Sequence, residues 1–496
     1  MGQKMKGKYR IHSVSYNLIM NIILKVSLVI FPLITFPYAT RVLGADSYGR
    51  VGFATSVVSY FALIASLGIP SYAIRKCAQV RTNEDELSKT VKEILWINCI
   101  SLIITVLCFI VLVFLVPRFR TEKELLLVCS LSIILQTFGV EWFYQSIEQY
   151  DYITLRNIGF KIVSVILLFV FVNNTADIIP YAAVTITGTV GSNILNLIRL
   201  PKIINLKKKF RLNLKQHIKP IFMLFFYYAA TTIYTNLDVV MLGFMTNTSV
   251  VGFYTASVKI KTVLVSGIAA VGSVALPRAS YYLAKNMKSE FNRLISTSLN
   301  LILCVSIPLA IYFSIEAKPV MIFLAGDEFE NAIFSMQCIM PSIIFIGIGS
   351  ITAWQLLIPL GRDKCTLVGA VVGMAVDMVI NFLLIPRFGA AGASIGTVCA
   401  EISVVIVHLI GLRDIISDFF DMKNTVKIIA SALICIPALL AINTFIKNKP
   451  EIMVCIITSI GYFGVYFIAC SLIKEKSMGY ITDKILRILK VRKNDA

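Results

Sequence analysis

Few residues of this 496-residue chain could do chemistry, and those few are cations and acids set inside long apolar runs. Lys25, Lys259 and Lys261 lie within such runs, as do Asp238, Asp377, Glu401 and His408. Helical spacing sorts them. Lys25 continues the polar line of Ser13, Asn17 and Asn21. Lys259 aligns with Thr255, Thr262, Ser266 and Ser273, whereas Lys261 has only Ser257 near its own line. Asp238 closes a stripe of Tyr227, Thr231 and Thr235; Asp377 shares a face with Thr366 and Asn381; Glu401 shares one with Ser394, Thr397 and His408.

Ionisable groups at membrane depth are costly, and they face a bundle interior or an aqueous cavity. Two central lysines suit an anion. A phosphate or diphosphate held by Lys25 and Lys259 keeps enough attraction in a low-dielectric cavity to offset part of its desolvation. Asn21 and Arg41 complete the candidate head-group set, although Arg41, Arg75 and Arg278 sit at helix ends, where orientation and lipid contact also account for them. Asp238, Asp377 and Glu401 are the acids deep enough to carry a coupling proton or sodium ion. The competing reading for Asp377, Glu401 and His408 is interhelical hydrogen bonding. Lys161 and Glu141 lie near cytoplasmic ends, where snorkelling is a sufficient explanation.

Other chemistry is missing from the sequence. There is no P-loop, and His12, His217 and His408 do not form an HExxH zinc pattern. Gly392-Ala393-Ser394-Ile395-Gly396 fits the nucleophile pattern G-x-S-x-G, but it opens an apolar helix. There the same letters spell GxxxG, a small-residue packing surface. The 11 cysteines show no CxxC pair and read as small core hydrophobes. No catalytic residue, cofactor or metal is expected.

The elements that must position these residues are membrane helices. The chain is 57% hydrophobic and 15% charged, with mean hydropathy +0.81, which excludes a water-soluble multidomain enzyme. Fourteen apolar stretches, near 15–39, 51–74, 93–116, 125–146, 157–172, 180–198, 220–243, 251–277, 294–314, 332–359, 366–384, 391–412, 428–446 and 452–473, are long enough to span a bilayer. The net charge of +20 is no nucleic-acid signal. Loops on the side of the termini hold 34 Lys and Arg against 9 on the other, so both termini are expected in the cytoplasm. The basic N-terminus leads into a retained first span with no cleavage site. The fold class is an all-α polytopic membrane protein of about 14 transmembrane helices.

An internal repeat organises them. Val51-Gly52-Phe53-Ala54-Thr55 opens span 2, and Val251-Gly252-Phe253-Tyr254-Thr255 opens span 8. Trp142 and Asp151, nine positions apart, are matched by Trp354 and Asp363. Both matches pair span n with span n+6, as for a duplicated six-helix unit in parallel-repeat arrangement. The expected layout is an N-terminal lobe over 1–200, a basic cytoplasmic linker over 201–218 and a C-terminal lobe over 219–412. Spans 13 and 14, with a basic cytoplasmic tail, fill 413–496.

Several short motifs then carry a family resemblance. Pro37-Tyr38-Ala39-Thr40-Arg41-Val42-Leu43-Gly44 is followed by Tyr48-Gly49, then by Asp238 with Leu242-Gly243. Gly252-Phe253-Tyr254 leads to Lys259-Ile260, and Asn381, Ile385-Pro386 and 389–397 complete the order. The chain resembles the polysaccharide repeat-unit (Wzx-type, O-antigen or capsule) flippases of the multidrug, oligosaccharidyl-lipid and polysaccharide exporter superfamily. The resemblance implies two lobes passing an undecaprenyl-diphosphate-linked oligosaccharide from the inner to the outer leaflet of a bacterial cell membrane by alternating access, without enzymatic activity. Its partners would be that substrate, membrane lipids and, as a candidate, a polysaccharide polymerase. A cation-coupled multidrug exporter of the same superfamily is the alternative, disfavoured by Lys25 where such exporters place carboxylates. A membrane-embedded glycosyltransferase or polymerase is a third, disfavoured by short outer loops.

Overall fold

The computed structural model describes residues 12–273, 276–446 and 449–476, and these residues are helical nearly throughout. They divide into two compact units, one ending at Gly252 and one beginning at Phe253.

The first unit holds α1 (Val14–Ser66), α2 (Ile69–Val80), α3 (Glu84–Leu115), α4 (Pro117–Thr121), α5 (Lys123–Thr137), α6 (Glu141–Ser146), α7 (Tyr150–Phe171), α8 (Ile178–Ile186), α9 (Asn193–Ile203) and α10 (Lys215–Met245). At about 1.5 Å per residue, the 53 residues of α1 would run roughly 80 Å, far beyond a bilayer core of about 30 Å. It is two helices meeting at Gly44, whose φ of 72° and ψ of 176° only glycine adopts without strain. The span that the sequence draws over 125–146 is likewise broken, between α5 and α6, where Val140 is left-handed at φ 40°. The core of this unit joins α2, α3, α6 and α9 through Val91, Ile94, Phe143, Tyr144 and Leu200.

The second unit continues through α11 (Thr248–Ser273), which straddles the division, then α12 (Leu276–Ala284), α13 (Lys288–Ile315), α14 (Ala317–Ala325), α15 (Ile333–Ile339), α16 (Ser342–Ile351), α17 (Asp363–Phe388) and α18 (Ala390–Gly411). Between α16 and α17 the chain forms a π-helical turn, Thr352–Leu357. The final pair, α19 (Met422–Ile446) and α20 (Glu451–Leu472), packs on α13. There Tyr466 donates to the Cys304 carbonyl at 2.9 Å and Tyr312 to the Cys455 carbonyl at 3.1 Å.

Among the described residues, ten stretches are long and apolar enough to cross a membrane, or eleven if the pair bent by 44° across 327–357 is one span. The fourteen expected from the sequence are not reached on that criterion, for physical reasons. The stretch from Ser15 to Val80 counts once although Gly44 breaks it. The helix α11 carries Lys259, Lys261 and hydroxyl residues, which lower its hydropathy.

The repeat has a local counterpart. Asp151 and Asp363 both lie in the first turn of their helices, α7 and α17, where an acid complements the exposed N–H groups. Their partner tryptophans differ: Trp142 is buried in the core of the first unit, whereas Trp354 is 51% exposed on the π turn.

Candidate functional site

The second unit assembles most of the candidate chemistry. Lys259 sits mid-way along α11, half-buried, and forms no ion pair among the described residues. Its stripe is self-contained: Thr262 donates to the Val258 carbonyl and Ser266 to the Thr262 carbonyl, each at 2.7 Å. Those hydroxyls fold back on their own helix, leaving the ammonium as the strong polar group of that face. Lys261 is half-buried too and is engaged by a neighbour. The side chain of Ser273 lies outside the described residues, as do those of Tyr227 and Thr231.

The helices α17 and α18 form a close hairpin around the acids. Gly389 turns the chain at φ 52°. The Gly392 backbone lies so near the Leu384 carbonyl that an added Cβ would stand 2.5 Å from it. A Cβ at Gly396 would meet Asn381 Oδ1 at 2.2 Å and Asp377 Oδ1 at 3.2 Å. The letters G-A-S-I-G therefore serve packing, as the sequence suggests, and they bring Asp377 and Asn381 (1% and 0% exposed) against the α18 backbone. Ser394 meets Ser335 at 2.8 Å, and Thr397 meets Tyr254 at 2.9 Å, both buried. His408 takes Thr352 Oγ1 at its Nδ1, 2.8 Å away. Glu401, on the same line, is engaged by a neighbour as well. It is half-buried and lines a cavity of about 320 Å³ beside Trp354 and His408.

The first unit holds the other candidates. Lys25 is exposed and Asn21 half-buried on α1, while Asn17 of the same line is buried. Arg41 is exposed near the Gly44 break, and Asp238 is buried on α10; both are engaged by neighbours. Lys161 and Glu141 do more than snorkel. Lys161 donates to Ser27 Oγ at 3.0 Å, tying α7 to α1, and Glu141 accepts from buried Arg156 at 2.5 Å.

Three groupings in this unit were not visible in the sequence. Arg50 forms a forked pair with Glu122, from Nε at 2.9 Å and Nη2 at 2.8 Å. Glu93, 1% exposed, accepts from His217 Nε2 at 2.8 Å, the Asn213 N–H at 2.7 Å and Gln216 Nε2 at 3.1 Å. Tyr72 closes that cluster on His217 Nδ1 at 2.6 Å. Finally, the 45–49 segment interlocks with the start of α11. A Cβ at Gly252 would stand 2.0 Å from the Ala45 carbonyl, and Asp46 Oδ1 accepts from Thr248 Oγ1. The partners are 72 to 207 positions apart, so no local spacing signals them.

Comparison with known proteins agrees with this architecture. The "Putative O-antigen transporter" of Escherichia coli (strain K12) is 22% identical over 401 residues, which cover 78% of this chain and 93% of the relative. A solved structure of the lipid II flippase MurJ in an inward closed conformation shares the fold with TM-score 0.73 at 17% identity, covering 92% of this chain and 98% of that one. An inward-facing multidrug resistance transporter of the MATE family and MOP superfamily matches with TM-score 0.63 at 12% identity, covering 80% and 98%. Residues 14–283 match the family described as "Polysaccharide biosynthesis protein". The chain belongs to that polysaccharide biosynthesis protein family, as its resemblance to the repeat-unit flippases implies.

Proposed function

We propose that this protein moves an undecaprenyl-diphosphate-linked oligosaccharide repeat unit across a bacterial cell membrane by alternating access, for cell-surface polysaccharide synthesis. The observation that carries the reading is Lys259, a half-buried ammonium in an apolar helix with no carboxylate paired to it among the described residues. A charge left so is costly unless an anion visits it. At about 4 Å and an effective dielectric near 20, one lysine and one phosphate charge attract by roughly 4 kcal/mol. Lys25, Asn21 and Arg41 are the head-group candidates of the N-terminal lobe. The layout expected from the sequence, two six-helix lobes with both termini cytoplasmic and spans 13 and 14 appended, suits this task.

The multidrug-exporter alternative needs a carboxylate in the N-terminal lobe available to a cation. Glu93, Glu122 and Glu141 are instead held by His217, Arg50 and Arg156. Coupling to a proton or sodium ion would fall to Asp238, Asp377 and Glu401, and Asp377 is supported by its burial beside Asn381.

The test is reconstitution in proteoliposomes with an undecaprenyl-diphosphate-linked oligosaccharide. Lys259→Ala should slow flipping at least about tenfold, the loss of about 1.4 kcal/mol of attraction. Lys261→Ala should be milder. Equal defects, or the reverse order, would overturn the assignment of Lys259.

A further inference from the structure

The stretch 204–214, which joins α9 to α10, is not helical, yet it is fixed to the start of α3. The Asn205 N–H donates to Ser88 Oγ at 3.1 Å. Asn205 Oδ1 in turn accepts from the Lys207 and Lys208 N–H groups at 3.1 and 3.0 Å. Lys208 pairs with Asp85 at 2.6 Å, and Lys92 donates to the Lys208 carbonyl. The ammonium groups of Lys92 and Lys208 sit 5.2 and 5.7 Å from the centre of the Phe210 ring. Further on, the Asn213 N–H reaches Glu93 at 2.7 Å. These bonds make the stretch a strap laid against α3, which is more than a slack connection needs.

The strap presents its charge outward. No Asp or Glu occurs between Asp177 and Asp238, whereas 199–219 holds eight Lys and Arg. Lys208 is neutralised by Asp85. Lys207, Lys209 and Arg211 are exposed and form no ion pair among the described residues. Of the other acids at this end of α3, Glu93 is buried against His217, and Glu84 and Glu86 lie in the first turn, where they complement the helix N-terminus. Leu206 and Leu212, 37% and 40% exposed, flank the free cations. The helix α3 shows what lies beside them. Exposed Ile100, Ile104, Leu107 and Val111 form one aliphatic stripe along it, the side that lipid tails meet. Trp96, 55% exposed, stands one turn before that stripe, where an indole sits at the level of lipid head groups. Lys89 continues the line outward, with Lys92 beside it, and Lys92 is the residue that holds the strap.

We infer that this strap, together with Lys89 and Trp96 of α3, is a binding surface for the head groups of anionic phospholipids in the surrounding leaflet. Free cations bracketed by exposed leucines match a layer of phosphate charge lying over acyl chains. Each Lys or Arg close to such a layer is worth about fivefold in affinity, so Lys207, Lys209 and Arg211 together supply about a hundredfold. A strap fixed by its backbone and by Lys208 offers these three side chains without having to order itself first. The inference goes beyond the transport reading and does not depend on it, because the ligand is the bilayer and not the cargo.

The test is native mass spectrometry of the full-length protein in detergent, titrated with phosphatidylglycerol, with phosphatidylcholine of the same chains, and with undecaprenyl phosphate. The parent should bind phosphatidylglycerol at least about tenfold more tightly than phosphatidylcholine. The combined variant Lys207→Ala, Lys209→Ala, Arg211→Ala removes no bond that fixes the strap, so its melting temperature and phosphatidylcholine binding should match the parent. Its phosphatidylglycerol binding should weaken about a hundredfold. As a control, Lys285→Ala, Lys288→Ala, Arg293→Ala removes the same charge around the start of α13 and should stay within about threefold of the parent. Equal binding of the two phospholipids by the parent overturns the inference. So does an equal loss in the control, which would leave net charge as the whole effect. A strap variant that loses undecaprenyl phosphate but keeps phosphatidylglycerol also overturns it, since the strap would then take cargo and not the bilayer.

Discussion

Replacing Glu93 tests whether the buried cluster at the start of α10 fastens that helix to the first unit. In the parent, His217 Nε2–H donates to Glu93 Oε2 at 2.8 Å, and both side chains are almost wholly buried, 0% and 1% exposed. Glu93→Ala strands that donor, at about 1–3 kcal/mol, and loosens the Tyr72–His217 bond, worth about 1 kcal/mol. Asn213 and Gln216 are exposed, so water replaces the carboxylate for them and adds little. The sum is about 3 kcal/mol, which is on the order of a hundredfold in an opening equilibrium. Glu93→Gln keeps one carbonyl oxygen but turns an NH₂ toward the other donor, so about tenfold is expected. Hydrogen exchange of the 221–226 amides, followed by mass spectrometry, reads the effect directly. Exchange in Glu93→Ala within about threefold of the parent would refute the reasoning, because so small a change is less than one buried hydrogen bond.

Further outcomes follow from other parts of the molecule. Reporter fusions after Leu206 and after Lys476 should both score as cytoplasmic and one after Asn174 as external; an external score at Leu206 would break the expected lobe layout. Asp377→Asn keeps the volume and one acceptor oxygen of a group 1% exposed but removes its titration, so the protein should insert normally while its flipping no longer responds to an imposed ion gradient; a parental response would leave Asp377 as interhelical packing alone. Gly252→Ala forces a methyl to within 2.0 Å of the Ala45 carbonyl, which should cost about 1–3 kcal/mol and lower the melting temperature; an unchanged melt would mean that the 45–49 seam is not held in solution. At the ends of α17 and α18, the fork from Arg362 at 2.5 and 2.6 Å holds the Asp414 carboxyl down to about 2, below an unfolded value near 3.9. Its contribution is then complete above about pH 4 and lost as pH falls toward 2. The melting difference between the parent and Asp414→Asn should accordingly be flat from pH 8 to 5 and shrink below 4, and a difference that grows with acid would reverse the sign of the argument.

How much of this was legible beforehand depends on how far apart the cooperating residues lie. The helical lines that place Asn381 beside Asp377 are read within one turn, and G-x-x-x-G over 392–396 is read as packing because helix periodicity alone decides which residues share a face. The positive-side bias is likewise a sum over short loops and needs no tertiary knowledge. The breaks at Gly44 and at the 352–357 turn were harder. An apolar run continues through each, and hydropathy measures composition, not dihedral angle, so the length of α1 overstates one helix and understates the number of spans. Glu93 illustrates the opposite failure. It opens the span expected over 93–116 with no local signal of its role, and only His217, 124 positions later, makes it a buried anchor.

Glu401 shows why a polar stripe is a weaker guide than it looks. Ser394, Thr397 and His408 share its line in the sequence, and each bonds to a neighbouring element, through Ser335, Tyr254 and Thr352. Such residues are polar because α15, α11 and the π turn pack against α18 and must be met by hydrogen bonds in a medium without water. Glu401 shares their angular position, is engaged by a neighbour, and also lines the cavity beside Trp354 of the π turn. Angular position therefore tells which way a side chain points, while the packing of the segments opposite decides which partner it meets. That second quantity sits in the backbone of another segment, so no spacing within α18 reports it.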